Sequence, residues 1–253
     1  MASDNSDKGG IALNTPRRWN VLAIGAHPDD VELLCGGTLA RYALAGHRVT
    51  IAIVTDGSMG DFHIPPAELS KIRHQEALAA AAVIQAELIW IGLTDEFISG
   101  SLEERRRMID VLRRVDPDII FTHAPTDYHP DHRYTAKLVF DAYFQKGLPH
   151  IPGQTLGPCR FAETQVYYMD TVGGIGFTPT DYVDITEVID LKRRMLQCHA
   201  SQVGTTREKL GRDLLELMEI QAQFRGLAAN CRYAEAFCWL HTWQRGITYR
   251  VLP

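Results

Sequence analysis

Four short apolar runs occupy the first half of the chain, and each is followed by a stretch with helical periodicity. The runs are Val21–Ala26, Val49–Thr55, Glu87–Gly92 and Asp118–Ala124. Because their apolarity is continuous rather than alternating, they are typical of strands covered on both faces of a parallel sheet. The predicted helices between them are Leu33–Gly46, Pro66–Ile84 and Ser101–Val115. This alternation indicates βαβ units and predicts an α/β fold with a mostly parallel sheet flanked by helices.

The second half of the chain is less regular. Its pattern predicts strands at Gln165–Asp170 and Tyr182–Ile185, and loops at Pro149–Pro158 and Gly173–Pro179, the second of which we expect to be mobile. The predicted helices are His132–Phe144, Glu187–Gln202, Arg207–Phe224 and Tyr233–His241. We find no internal repeat and no long linker. The expected organisation is therefore a flexible tail, residues 1–19, followed by one domain, residues 20–253.

Composition narrows the class of protein. The 253 residues include 26 Lys plus Arg and 31 Asp plus Glu, a net charge of -5 that makes nucleic acid an unexpected partner. Apolar runs such as Ala77–Ile84 fall far short of the roughly 18 residues that span a bilayer. The five cysteines are scattered without a C-x-x-C pair, which favours a reducing compartment. The start of the chain lacks the basic and apolar regions of a signal peptide, so we expect a cytoplasmic protein.

Two clusters of His and Asp follow predicted strands. His27, Asp29 and Asp30 come directly after the first strand, and the segment His129-Pro130-Asp131-His132 comes after the fourth. Ligands of open α/β sheets bind beyond the carboxyl ends of the strands. The two clusters are about 100 residues apart in the chain, yet this rule predicts that they meet at one edge of the sheet.

The residue types in the two clusters favour a metal site. Catalytic zinc takes three His or carboxylate ligands and keeps a fourth position for water. The candidates, in pairs spaced i, i+3, are His27 with Asp30 and His129 with His132. Four candidates for three places leave one residue over, which hydrolytic chemistry can use as an acid or an electrostatic stabiliser. Asp29 and Asp131 adjoin these candidates, where a general base and an orienting carboxylate belong.

A purely structural role and two other chemistries fit the sequence less well. An Asp after Pro at a strand-to-helix junction is often only an N-cap, but two such clusters at the same edge make helix capping insufficient. The first βα turn has only Gly25, not the glycine fingerprint of a dinucleotide site. Ser58 has Asp two residues before it, so no nucleophile elbow is present.

The motifs resemble those of the PIG-L/LmbE-like zinc-dependent N-deacetylases. The matching segments are Ala26-His27-Pro28-Asp29-Asp30 with Gly36-Gly37, Thr55-Asp56-Gly57 through Gly60, Arg73 with Glu76, His129-Pro130-Asp131-His132, His199-Ala200-Ser201-Gln202 and Tyr233-Ala234-Glu235-Ala236-Phe237. The resemblance spans about Val21 to Trp239 and implies a Rossmann-like fold. It also has a departure: where many members have L-G-x-x-D-G, this chain has Ile91-Gly92-Leu93-Thr94-Asp95-Glu96, so we expect a loop of different shape.

The resemblance implies a role for each matched residue. It makes His27, Asp30 and His132 the zinc ligands and Asp29 the general base. His129 then stabilises the oxyanion as a protonated imidazole that is held by Asp131. Arg73 corresponds to a position near the substrate pocket.

The resemblance also implies an activity. The expected reaction is removal of the acetyl group from an N-acetylglucosamine-type sugar conjugate by a metal-activated water with Asp29 as the base. The expected cofactor is Zn²⁺, with Fe²⁺ or another divalent metal as alternatives, and a homo-oligomer is possible by analogy. Two other functions stay open: an amidase or deacylase acting on a non-sugar amide, and a non-catalytic sugar-binding relative.

Several further side chains are candidates for lesser roles near the strand ends. Tyr128, Tyr167, Tyr168 and Trp90 offer rings on which a sugar can stack, although buried aromatics are more often core. His123 ends the fourth strand and is a candidate to support a metal ligand.

Overall fold

A computed structural model describes residues 18–153, 164–242 and 251–253. The strands are β1 Asn20–Gly25, β2 Arg48–Thr55, β3 Glu87–Leu93, β4 Ile119–Thr122, β5 Gln165–Met169, β6 Asp181–Asp184 and β7 Ala234–Trp239. The helices are α1 Asp30–Leu44, α2 Pro66–Val83, α3 Leu102–Val115, α4 Pro130–Gln145, α5 Ile189–Gln197, α6 Ala200–Leu210 and α7 Leu214–Ala229, with 3₁₀ turns at Val172–Gly174 and Thr186–Val188. This is the predicted α/β class.

The strands form one seven-stranded sheet in the order β3-β2-β1-β4-β5-β7-β6. β3, β2, β1, β4 and β5 are parallel, whereas β7 pairs antiparallel with both β5 and β6. β1 is central: Ala23 is in register with Ile51 of β2 and with Phe121 of β4. The chain leaves β1 first toward β2 and later returns to its other side as β4. The gap between β1 and β4 is therefore the topological switch point, where open α/β sheets bind ligands.

Both faces of the sheet are buried at β1, β2 and β4, which explains the continuous apolar runs there. Val21 and Ala23 of β1 belong to one apolar cluster, whereas Leu22 and Ile24 belong to a second cluster on the opposite face. Because side chains alternate across a strand, each strand between two helical layers needs apolar residues at every position.

The structure corrects three predicted helices. The helix predicted at Arg207–Phe224 is interrupted at residues 211–213, between the end of α6 and the start of α7. The helix predicted at Tyr233–His241 is wrong, because the segment contains strand β7. Glu235 on this strand accepts hydrogen bonds from the backbone N–H groups of Gly37 and Thr38 and contacts Lys192, all buried. The helix predicted at Glu187–Gln202 is two helices, α5 and α6, separated at Cys198 and His199.

The remaining predictions on organisation are tested only in part. Most of the tail, residues 1–17, and residues 154–158 of the predicted loop lie outside the described residues. The loop Gly173–Pro179 is attached at its start, where Gly173 N–H donates a 2.9 Å hydrogen bond to Gln221 Oε1. Its mobility and the single-domain boundary stay predictions. Among the described residues, no helix has the length and apolarity needed to cross a membrane.

Candidate metal centre

The two His/Asp clusters meet at the carboxyl ends of β1 and β4, as the strand-end rule predicts. His27 follows β1 and α1 begins at Asp30, while His129 is the N-cap of α4, which carries His132 in its first turn. His27, Asp30, Asp131 and His132 are all buried. The switch point of the sheet thus holds four buried, polar side chains that arrive from two distant segments.

Three of these side chains converge on one point. Nδ1 of His27 and Nε2 of His132 are 3.3 Å apart. Asp30 faces both rings, with Oδ2 3.3 Å from His27 Nδ1 and Oδ1 3.3 Å from His132 Nε2. A tetrahedral ion with bonds of about 2.0 Å separates neighbouring ligand atoms by about 3.3 Å. The spacing therefore fits a divalent ion held by His27, Asp30 and His132.

The other ring nitrogen of each histidine faces carboxylates. Nδ1 of His132 is 3.0 Å from Asp127 Oδ2. Nε2 of His27 is 3.3 Å from Asp95 Oδ1 and 3.5 Å from Asp131 Oδ2. These contacts are oblique, at ion-pair distance without a well-directed hydrogen bond. They nevertheless favour a proton on the far nitrogen of each ring, which leaves the near nitrogen free to bind a metal.

Electrostatics within the cluster are strong. Burial by itself lowers the pKa of His27, but Asp131, Asp30 and Asp95 outweigh it and raise that pKa to about 10. Burial also lowers the pKa of His132, but the carboxylates of Asp30 and Asp127 outweigh it and raise that pKa to about 9. The pKa of Asp30 shifts in the opposite direction. Burial favours the neutral acid, but His132 and His123 hold the pKa well below the usual range. Without a metal, the cluster thus binds protons where a cation would sit.

His123 lies against the same cluster but is a poor ligand. Its ring stacks on His132 with the centroids 3.9 Å apart, and its Nε2 is 3.1 Å from Asp30 Oδ2. That nitrogen accepts a 2.9 Å hydrogen bond from Ala26 N–H, so its lone pair is already used. Burial, followed by the charge of His132, lowers the pKa of His123 to about 4. These contacts favour a neutral ring that supports His132 by stacking, as the sequence position of His123 suggests.

Other combinations of side chains can also approach a metal. The groupings with a geometry suited to an ion are His27, His129 and His132; Asp30, His123 and His132; and His27, Asp95 and Asp131. They overlap because one pocket contains all of these side chains. We favour His27, Asp30 and His132, since His123 is engaged by Ala26 and since Asp95 and Asp131 face the far nitrogen of His27.

Asp29 is not a helix cap. It is the residue before α1, but its side chain makes no capping hydrogen bond and its backbone is left-handed, with φ 112°. Such a conformation is strained for a residue other than glycine and is characteristic of functional sites. Burial raises the pKa of Asp29 to about 6, with Arg73 opposing the shift. Helix capping therefore does not account for Asp29.

Arg73 of α2 is fixed beside Asp29. Its side chain is 3 % exposed, and its guanidinium donates to the backbone carbonyls of Gly57 and Pro28 at 2.9 and 2.6 Å. It also lies 3.6 Å from Asp29 Oδ1. Gly57 is required here, because its φ is +63° and a Cβ would lie 2.8 Å from the Arg73 guanidinium. The structure thus brings Arg73 to the site as a support for Asp29 and the loop after β1.

His129 and Asp131 lie at the start of α4. Asp131 N–H donates to His129 Nδ1 at 3.3 Å, so the ring is aimed by the backbone of Asp131. The Asp131 carboxylate instead accepts from the N–H groups of Glu96 and Ile98 and approaches His27. Burial, with the charges of His27 and His132, lowers the pKa of His129. The protonated ring held by the Asp131 carboxylate stays a prediction, and in this structure Nε2 is the nitrogen of His129 that is free to donate.

The sequence patterns assign no role to several residues that belong to the site. Asp95 and Asp127 follow β3 and β4, so the strand-end rule applied to every carboxylate, and not only to the His clusters, would have found them. His199 is buried with its Nε2 3.3 Å from Glu32 Oε2. The matched segment His199-Ala200-Ser201-Gln202 marks the histidine, but no local pattern signals its partner, because the pair joins α1 to the start of α6.

The candidate stacking rings divide clearly. Tyr128 is 71 % exposed, with its ring centroid 5.9 Å from that of His129. Tyr167 is buried, and Trp90 packs against the core. Tyr168 is half-buried on β5. Tyr128 is therefore the one of these four that presents an open ring face beside the cluster.

Comparisons with known proteins agree with this architecture. Residues 22–143 match the family model described as PIG-L, GlcNAc-PI de-N-acetylase. A diacetylchitobiose deacetylase of Thermococcus kodakarensis is 29 % identical, with 85 % of this chain and 80 % of that protein covered. A 4-oxalmesaconate hydratase of Pseudomonas putida is 26 % identical, over 75 % of this chain and 76 % of that protein. The structure of N,N'-diacetylchitobiose deacetylase from Pyrococcus horikoshii superposes with a TM-score of 0.77 at 28 % identity, covering 87 % of this chain and 83 % of that one.

Fold and site together define an α/β protein with a Rossmann-like sheet and a buried His/Asp candidate metal site at its switch point. The chain belongs to the PIG-L/LmbE family. Its relatives include deacetylases of acetylated sugars and a hydratase, so family membership alone leaves the reaction to be argued from the site.

Proposed function

We propose that this protein is a metal-dependent N-deacetylase that releases acetate from an N-acetylglucosamine-type sugar conjugate, with Zn²⁺ as the first candidate metal. The observation that carries the proposal is the convergence of His27 Nδ1, His132 Nε2 and the Asp30 carboxylate, with separations of 3.3 Å. A second carboxylate, Asp29, adjoins these ligands without binding any helix end, and its side chain is 18 % exposed. A carboxylate in that position, with its pKa raised by burial to about 6, fits the role of a general base.

His27, Asp30 and His132 are assigned to hold the ion. A bound divalent cation supplies a Lewis acid, beside which water loses a proton near neutral pH. Asp29 accepts that proton as the water oxygen attacks the acetyl carbonyl carbon. Arg73 keeps Asp29 in place through its 3.6 Å contact and through the carbonyls of Pro28 and Gly57.

His129 is assigned to the carbonyl oxygen. Because its Nδ1 accepts from Asp131 N–H, Nε2 carries the proton and can donate to the oxygen as negative charge develops there. A preorganised donor of this kind is worth about 3–4 kcal/mol in the transition state. Asp29 then returns its proton to the amine nitrogen as the C–N bond breaks. One water and one amide are consumed, and one acetate and one amine are produced.

A second candidate is hydration of a carboxylate-bearing substrate, which the similarity to the Pseudomonas putida hydratase favours. Recognition of such an anion usually uses Arg or Lys side chains that are free to pair with it. In the described part of the site, Arg73 and Arg133 already donate to backbone carbonyls. This arrangement supports an uncharged amide over a polycarboxylate as the substrate.

The test is acetate release from N-acetylglucosamine, from a few of its conjugates and from a panel of other acylated amines. It compares metal-loaded protein, chelator-treated protein and the His132→Ala variant, with His150→Ala as the control because His150 is exposed and lies beyond the end of α4. We expect release from the sugar series only, lost on chelation and in His132→Ala but not in His150→Ala. Release only from non-sugar amides would mean that the substrate is another acylated amine and not a sugar conjugate. No release from any amide, with metal bound, would contradict the proposal.

A further inference from the structure

We propose that Glu96 is a specificity-determining residue that selects against negatively charged substrates at the mouth of the metal centre. The inference rests on the proposed function, because it concerns which sugar derivatives reach that site. Three features of Glu96 carry it: its backbone strain, the position of its carboxylate, and the chemistry that this position favours.

Glu96 has a left-handed backbone with φ 67°. In the described residues, the other positive-φ positions that are not glycine are Asp29 at the metal centre and three residues at helix C-terminal ends, namely Gln85, Asp116 and Asn230. A helix end explains those three, whereas Glu96 lies in the loop after β3. Glycine adopts this conformation without the cost that a side chain incurs. Glu96 thus has a side chain on a backbone conformation that is typical of glycine.

The backbone contact of Glu96 accounts for its left-handed φ but not for the position of its side chain. Its N–H donates a 2.8 Å hydrogen bond to Asp131 Oδ2, which any residue at this position can make. The carboxylate points instead toward His129, with Oε1 3.4 Å from Nε2. Nε2 is the atom assigned to meet the substrate carbonyl oxygen. The Glu96 carboxylate therefore lies where the substrate must arrive.

The Glu96 side chain is also free to give way. It is 48 % exposed, whereas the carboxylates of Asp95 and Asp131 beneath it are buried. When a substrate carbonyl takes the hydrogen bond from His129, the Glu96 carboxylate can turn aside and still remain next to the bound molecule. From there it accepts hydrogen bonds from hydroxyl or ammonium groups and repels carboxylates.

A second side chain beside His129 fits the same class of substrate. Tyr128, with its exposed ring near His129, offers an apolar face to the C–H side of a sugar ring. A hydrogen-bond acceptor and an aromatic face, both next to His129, suit a molecule that has many hydroxyl groups and no negative charge. The substrate class that we infer is an uncharged or amine-bearing N-acetyl sugar, with acidic sugars excluded.

The experiment compares two sugars that differ chiefly in charge: N-acetylglucosamine and N-acetylglucosaminuronate, in which a carboxylate replaces the C6 hydroxymethyl group. The variants are Glu96→Gln, which keeps the shape and removes the charge, and Glu96→Gly, which also relieves the backbone. Glu103→Gln is the matched control, because Glu103 is an exposed carboxylate on α3. Acetate release gives kcat/KM, and calorimetry in an Asp29→Asn background gives the dissociation constants without turnover.

We expect the native protein to favour the neutral sugar and Glu96→Gln to reduce that preference about tenfold, in line with two like charges a few ångströms apart near a surface. Salt at about 0.5 M reduces the preference of the native protein but not that of Glu96→Gln. Glu103→Gln changes neither value. If only the backbone of Glu96 matters, Glu96→Gly will change the preference for the neutral sugar and Glu96→Gln will keep the native preference. That result overturns the proposal.

Failure of this inference is distinguishable from failure of the proposed function. If both sugars are deacetylated with the same ratio in native protein and Glu96→Gln, the deacetylase stands and Glu96 has no role in selectivity. If the native protein prefers the acidic sugar, the inference is wrong whether or not acetate is released. If neither sugar is bound or hydrolysed, the proposed substrate class fails and this inference fails with it.

Discussion

Asp127→Asn is expected to weaken metal binding although Asp127 is not assigned as a ligand. The native carboxylate uses both oxygens: Oδ1 accepts from His129 N–H at 2.9 Å, and Oδ2 lies 3.0 Å from His132 Nδ1. Both partners are donors when His132 binds a metal through Nε2. An asparagine presents one oxygen and one NH₂ group, so in either orientation of the amide one donor faces another donor.

The size of the effect follows from the role of such carboxylates. With the NH₂ group against His132, the ring is driven to the tautomer that has its proton on Nε2, the nitrogen meant for the metal. Changes at the partner of a ligand histidine typically cost 10–100-fold in metal affinity, or about 1.4–2.8 kcal/mol. The smaller part of that range applies if the amide turns its oxygen to His132 and gives up the contact with His129.

The assay is a competition titration of the metal-free protein with zinc and a chromophoric chelator, with circular dichroism to confirm that each variant is folded. Asp190→Asn is the matched control, because Asp190 is 86 % exposed on α5 and pairs with Arg193. We expect a 10–100-fold larger dissociation constant for Asp127→Asn and no change for the control. An unchanged dissociation constant for folded Asp127→Asn would refute the reasoning about the His132 tautomer.

Three further predictions follow from the same geometry. Asp29→Asn should keep its metal and lose turnover by about 10²–10⁴-fold, measured by metal analysis and acetate release, and near-normal turnover would remove Asp29 as the base. Because the metal-free pKa values of His27 and His132 are raised to about 10 and about 9, zinc uptake at pH 7.5 should release about two protons. The affinity for zinc should therefore fall as the pH falls. Calorimetry in buffers of different ionisation enthalpy measures the proton release, and finding none would contradict this prediction. Gly37→Ala should destabilise the fold by about 1–3 kcal/mol, because its Cβ would lie 2.7 Å from a side chain on the facing loop, whereas Gly36→Ala in the same helix, with 3.5 Å of space, should be neutral or stabilising in urea unfolding.

The strands that contain continuous apolar runs could be predicted because their cause is local. Every residue of β1 after Asn20 is apolar or glycine, and these residues face a helix layer on one side or the other. Strand β7 could not be predicted in the same way, because its cause is not local. Its segment holds Glu235, and what stabilises that charge is Lys192 together with two N–H groups of α1, which are 198 and 197 residues away along the chain.

The same difference between local and long-range causes applies to the candidate site. His27, Asp30 and His132 could be predicted together because parallel strands end at one edge of the sheet, and the structure places them there. The direction of the Asp131 carboxylate could not, since it depends on the loop after β3, which folds back over α4. The departure of that loop from the family motif predicts a different shape, and this stays a prediction; the loop has a left-handed turn at Glu96.

The central claim is the identity of the metal ligands, and anomalous diffraction at the zinc edge tests it most directly. The anomalous difference map of a zinc-loaded crystal should show a single strong peak. The zinc ion at that peak should lie about 2.0–2.2 Å from His27 Nδ1, the Asp30 carboxylate and His132 Nε2. A peak bonded to His27 Nε2 together with Asp95 and Asp131 would contradict the account. It would place the ion on the far side of the His27 ring, away from Asp29 and the proposed base.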